Sequence, residues 1–170
     1  MAKWNDTDVP IAYLVTFRTY GTWLAGDERG SIDRFHNTYG SARVSPNPML
    51  EQQHAKRLKG PPVKLDAQAR RSVEAAIREV CAFRNWKLYS LSVRTNHAHT
   101  VVAAVASADR VLNDLKPYAT RRMRTEGCWD KAYSPWVDKG STRWLWTEDH
   151  IIAACEYVTH GQGDPLPDFD

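Results

Sequence analysis

Residues 11 to 19 read IAYLVTFRT, a run of β-branched and aromatic side chains that predicts a strand. From Tyr20 to Leu65 the rhythm breaks. Gly21, Gly26, Gly30, Gly40, Pro46, Pro48, Gly60, Pro61 and Pro62 punctuate this stretch and leave room only for a short helix between Met49 and Leu58. A connection this long is uncommon inside a domain and points to a functional insertion. Asp66 is placed to cap a helix over Ala67 to Asn85, where Val73, Ala76, Ile77, Val80 and Phe83 recur at helical spacing, with Arg70, Arg71, Arg78 and Arg84 off that stripe. Trp86 to Val93 alternates like a strand. Arg94 to Asn96 can turn, and His97 to Ala104 predicts the second arm of a hairpin. Ser107 can cap a helix from Ala108 to Thr125, which Pro117 is expected to end or kink because it lacks an amide proton. An irregular stretch, Trp129 to Gly140, leads to a strand over Ser141 to Thr147. A last helix follows from Glu148 to His160, stopped by Gly161, Gly163 and Pro165.

The order β-α-β-β-α-β-α predicts an α+β fold. It is a ferredoxin-like split βαβ core with a central antiparallel sheet, a long loop insertion after the first strand and an added C-terminal helix. A length of 170 residues fits a single domain, with its core over about residues 11 to 163. Seven tryptophans can fill a core or stack on bases, and a formal charge of +3 is compatible with a polyanion without requiring one. The three cysteines, Cys81, Cys128 and Cys155, show no Cys-x-x-Cys spacing and read as reduced thiols of a cytosolic protein. Met1 to Pro10 is polar and has no apolar signal segment. No apolar run approaches the roughly 20 residues that span a bilayer, so no membrane association is expected.

Three groups of residues could carry chemistry. His97 and His99 lie two apart on a predicted strand, so both imidazoles leave the same face and can share one divalent ion. Tyr157 lies in IIAACEYVTHGQG, beside an inward stripe of Ile151, Ala154 and Val158. A phenol is a weak nucleophile at neutral pH, because its ordinary pKa is about 10, and it needs an activated electrophile. Beyond the tyrosine, His160 and Gln162 are alternative third ligands. The carboxamide oxygen of Gln162 suits magnesium or manganese, and the His160 nitrogen favours softer ions. Lys116, Arg121, Arg122 and Arg124 cluster on the second core helix, and Arg143 sits among the aromatics of the fourth strand. All five are candidates for phosphate contacts, and Trp23 is a candidate stacking platform. Trp144 and Trp146 share a strand face and should share a fate.

The stretch RTNHAHTVV, Arg94 to Val102, resembles the histidine–bulky residue–histidine signature of the HUH single-strand endonucleases, with the small Ala98 at the middle position. EYVTHGQG resembles the helix bearing the nucleophile of the single-tyrosine transposases, both the insertion-sequence and the REP-associated groups. FRTYGTWL and STRWLWT also look like family segments. The resemblance implies a bacterial, nucleoid-associated enzyme that cuts single-stranded DNA beside hairpins of palindromic sequences. It would leave a 5′-phosphotyrosine and a free 3′-hydroxyl, with magnesium or manganese as the ion. His97 and His99 would be the metal pair and Tyr157 the nucleophile. Family members often carry a polar ligand four residues after the tyrosine; here that position is Gly161, and Gln162 is the favoured substitute. Insertion-sequence relatives work as dimers that exchange the tyrosine helix, so a homodimer is one expectation; REP-associated relatives act as monomers. The alternative reading is a catalytically retired or domesticated nucleic-acid-binding domain of the same fold. A two-histidine phosphoesterase would need two His-x-Ser/Thr motifs, and only His36-Asn37-Thr38 fits.

Overall fold

The computed structural model describes residues 9–22 and 45–161. The elements run β1 (Ala12–Arg18), α1 (Pro48–Lys56), α2 (Ala67–Phe83), β2 (Lys87–Val93), β3 (His97–Ala103), α3 (Ala108–Thr125), β4 (Ser141–Leu145) and α4 (Glu148–His160). The four strands form one antiparallel sheet in the order β2-β3-β1-β4. This is the expected α+β, split βαβ arrangement with an added final helix. Caps fall where the sequence places them: Asp66 accepts from Ala69 N at 2.8 Å and Ser107 from Arg110 N at 3.2 Å.

The two faces of the sheet bury different residues. Tyr13, Val15, Phe17, Ala98 and Val102 pack under α2 and α3, against Val73, Ile77, Val111 and Leu115. Ala12, Leu14, Val101 and Leu145 face the other way and pack under α4, against Ile151, Ala154 and Val158. Burial on both faces explains why β1 reads as a nearly unbroken apolar run instead of alternating. Hydrophobic burial on this scale, about 25 cal/mol per Å² of apolar surface, is what fixes α4 over the sheet.

One expectation needs correcting. Phe83 belongs to no inward stripe: it is 68% exposed at the end of α2, with the Arg84 guanidinium 5.4 Å from its ring centre, while Ala69, Ser72 and Cys81 are buried instead. α3 keeps its expected bounds, Ala108 to Thr125, and of the two outcomes expected at Pro117 an early end does not occur. The carbonyl that Pro117 leaves without a helical donor belongs to Asn113. Both residues are exposed, so water can serve that oxygen.

Among the described residues, no helix is long and apolar enough to cross a membrane. Trp23 and Gln162 lie outside the described residues, as does the part of the insertion from 23 to 44.

Candidate active site

β3 begins at His97, and the strand's alternation sends His97, His99 and Val101 to the α4 face. Register then decides the neighbours. His99 stands opposite Thr16 of β1 and Ser92 of β2, and Thr16 stands opposite Ser141 of β4. A row of short hydroxyl side chains therefore crosses the sheet at the level of His99, between the apolar row of Leu14 and Val101 and the row of Arg18 and His97. His99 is 1% exposed. Its Nδ1 lies 2.5 Å from Thr16 Oγ1. The His97 Nδ1 lies 2.6 Å from Asn96 Oδ1, and the two imidazole centres are 4.5 Å apart. When each Nδ1 donates to its oxygen partner, each Nε2 keeps a lone pair, the arrangement typical of imidazoles that ligate a metal.

α4 brings the phenol. Thr147 caps the helix by accepting from His150 N at 3.2 Å, and Glu148 and Asp149 in the first turn suit the positive end of the helix dipole. Two turns on, Tyr157 is 5% exposed, and its hydroxyl lies 3.4 Å from His99 Nε2, with the ring centres 5.2 Å apart. The structure thus brings His97, His99 and Tyr157 together within one chain. Gly161 matters here because a Cβ at that position would lie 2.8 Å from Tyr157 Cδ2. The ring occupies the space that a side chain four residues later would need.

His97 and His99 offer two nitrogen donors on one face. Their donor chemistry and their Nδ1 partners fit a divalent ion, but among the described residues no third histidine, cysteine, aspartate or glutamate joins them. His160 is exposed at the end of α4.

The cationic candidates separate. Lys116 directs its ammonium at three carbonyls, Val137 O at 2.6 Å and Asp138 O and Lys139 O each at 3.1 Å, which matches its three protons. Burial pulls its pKa down to about 8, with the Asp138 carboxylate opposing the fall and Arg18 adding to it. Lys116 is a clamp on the chain entering β4. Arg122 turns toward α2 and pairs with Glu126 and, at 3.2 Å, Glu79. Arg143 is 3% exposed and stands opposite Leu14, on the same face of the sheet as His99. Arg121 and Arg124 remain exposed and line a common pocket. Trp144 and Trp146 are both half-buried, with ring centres 5.8 Å apart.

Sequence reasoning missed Thr16 and Asn96, the partners of the two imidazoles. The signal for Thr16 was a hydroxyl inside the buried run from Ala12 to Phe17, where a buried polar group requires a partner.

No protein-family model matches the chain, and no curated protein does. Solved structures similar to it include two transposases by description. One is a protein of Deinococcus radiodurans R1 described provisionally as a transposase, 14% identical, with 96% of this chain and 99% of that one covered and a TM-score of 0.48. The other is a REP-associated tyrosine transposase bound to a REP hairpin, 10% identical, with 93% of this chain and 70% of that one covered and a TM-score of 0.47.

Proposed function

We propose that this chain cuts and rejoins single-stranded DNA, with Tyr157 as nucleophile and His97 and His99 as ligands of a magnesium or manganese ion. The observation that carries the reading is the Tyr157 hydroxyl 3.4 Å from His99 Nε2, on the buried face where both imidazoles converge. The sequence resemblance of RTNHAHTVV and EYVTHGQG to the HUH single-tyrosine transposases supports the same assignment. Gln162, one residue past the glycine that ends α4, is the proposed third ligand. The substrate is DNA with unpaired strands next to palindromic hairpins.

The phenol oxygen attacks the phosphorus and gives up its proton, the bond to the 3′-oxygen breaks, that oxygen takes up a proton to leave as the 3′-hydroxyl, and the 5′ end stays on Tyr157 as a phosphotyrosine. The covalent link keeps the energy of the broken bond, so a free 3′-hydroxyl can reverse the step and join strands. The chemistry a divalent ion supplies when bound is polarisation of the scissile phosphate. Thr16 and Asn96 hold the two imidazoles in the tautomer that points Nε2 at the reacting group.

The same contact favours a second reading, in which His99 Nε2 takes the phenol proton and needs no ion. The two roles compete for one lone pair. Chelator separates them: cleavage that stops in chelator and returns with manganese supports the ligand role, and cleavage untouched by chelator supports the base role. In either case Tyr157→Phe should abolish the covalent DNA adduct on a denaturing gel while binding stays nearly unchanged. An adduct that persists in that variant excludes Tyr157. A chain that binds hairpin DNA but forms no adduct under any metal condition would be the retired binding domain instead.

A further inference from the structure

Where β1 ends, the face of the sheet opposite α4 carries a pocket of about 820 Å³. Trp136 forms part of its lining, 3% exposed and held edge-on to Phe17 at 4.8 Å, with its indole N–H donated to Thr120 Oγ1 at 3.0 Å. Tyr20 and Tyr133 stand over it with ring centres 6.1 Å apart. The Tyr20 hydroxyl accepts from Lys59 N at 2.6 Å, which ties that ring to the returning end of the insertion. Tyr133 is 45% exposed and packs edge-on to Trp129 at 5.5 Å, so its face is supported yet open. Among the described lining residues, Lys59, Arg121 and Arg124 bring positive charge against the carboxylate of Asp138. Arg121 lies 5.1 Å from the Tyr118 ring centre, and one Arg124 Nη donates to Lys131 O at 3.0 Å, but a guanidinium, with five N–H groups, keeps donors to spare. Lys116 lies in the lining, but its ammonium is given to the backbone at 137–139, so it shapes the wall.

The volume falls in the range of sites that enclose a small molecule. An apolar ligand would have no use for the guanidinium groups, and a bare anion would have no use for the rings. A ring that carries a phosphate uses both, by stacking and by charge-assisted hydrogen bonds. Placement narrows the source. Tyr20 follows Arg18 by two residues, and Arg18 stands opposite His97. The pocket and the His97–His99–Tyr157 cluster therefore share one end of the sheet, on opposite faces. A strand bending over that end can occupy both.

We propose that this pocket takes one unpaired nucleotide of the DNA strand, with its base on the Tyr133 ring and its phosphate on Arg121 and Arg124. The inference rests on the reading of the chain as a DNA-strand enzyme, and its test is separable from that reading.

The test measures fluorescence anisotropy of a labelled mixed-sequence single strand of about 15 nucleotides, in chelator, on a Tyr157→Phe background so that no chemistry intervenes. Tyr133→Leu and the double variant Arg121→Ala/Arg124→Ala should each bind about tenfold more weakly. Arg122→Ala, whose guanidinium lies on Glu79 and Glu126 outside the pocket, should bind as the parent does. Replacing one base at a time by an abasic site should expose a single sensitive position, and that sensitivity should vanish in Tyr133→Leu. Parent-like binding by both pocket variants, or an abasic scan with no sensitive position, overturns the proposal. So does displacement of the strand by free deoxynucleoside monophosphates at equal concentration, which would make the pocket a site for free nucleotides. Adduct formation by the unaltered chain is scored separately. An adduct with parent-like pocket variants removes the pocket alone, and a pocket-dependent sensitive base without an adduct removes the nuclease reading alone.

Discussion

Both ring nitrogens of His99 have work to do: Nδ1 faces Thr16 Oγ1 at 2.5 Å, and Nε2 faces Tyr157 at 3.4 Å. Thr16→Val removes the oxygen that faces His99 Nδ1 inside the core, which should cost about 1–3 kcal/mol of stability in urea denaturation. The same change should weaken manganese binding about tenfold, measured by calorimetry on protein lacking substrate, because the imidazole loses the group that fixes its tautomer. Thr16→Ser should recover most of both losses; if it behaves like valine, the hydroxyl is not what orients His99. Gly161 acts from the other side. Gly161→Ala puts a methyl 2.8 Å from Tyr157 Cδ2 and should rotate the ring away from His99. The expected outcome is slower adduct formation with unchanged DNA binding. An alanine variant that forms adduct at the parent rate would mean the ring does not need that space.

β4 is positioned by what precedes it. A Cβ on Gly140 would lie 2.7 Å from Thr16 O and 2.8 Å from Leu112 Cδ1, so Gly140→Ala must push β4 off β1 or α3. It should lose about 1–3 kcal/mol in the same denaturation assay, and a change within 0.5 kcal/mol would show the close approach to be relieved cheaply. The strands and core helices were legible in the sequence because their apolar spacing, caps and breakers agree. His97 and His99 were legible as a pair because strand alternation alone puts them on one face. Other features were hidden for physical reasons. Thr16 meets His99 through register, which depends on pairing between segments more than 80 residues apart. The arginine and lysine stripe on α3 looked uniform, yet Lys116 turns to the carbonyls at 137–139 and Arg122 to acids including Glu79 of α2. Helical spacing tells which side a charge leaves by, and only the fold tells what arrives there. Phe83 went astray the same way, since it sits where the end of α2 meets solvent.

Tyr157 reaches His99 within a single chain, so the proposed cleavage needs no exchange of α4 between copies. Mixing Tyr157→Phe protein with His97→Ala/His99→Ala protein should therefore restore no adduct; recovery on mixing would mean that α4 crosses to a partner during the reaction. The Lys116 clamp gives the molecule a pH signature. Its ammonium titrates at about 8 when folded against an ordinary 10.5. Between those values the unfolded chain holds the extra proton, so stability rises as pH climbs from about 8 toward about 10.5 and is lost again as pH falls back through 8. Lys116→Met should flatten that rise in denaturation curves taken across the range, and an unchanged slope would assign it elsewhere. The cross-strand match between Thr16 and His99 has one more consequence. Slipping β1 by a single residue would turn Val15 or Phe17 toward the imidazole and Thr16 toward the helices, because every side chain on the strand changes face. A chain that has misassembled its first strand has then also taken its histidine–tyrosine cluster apart and, on the proposed function, could not cut DNA.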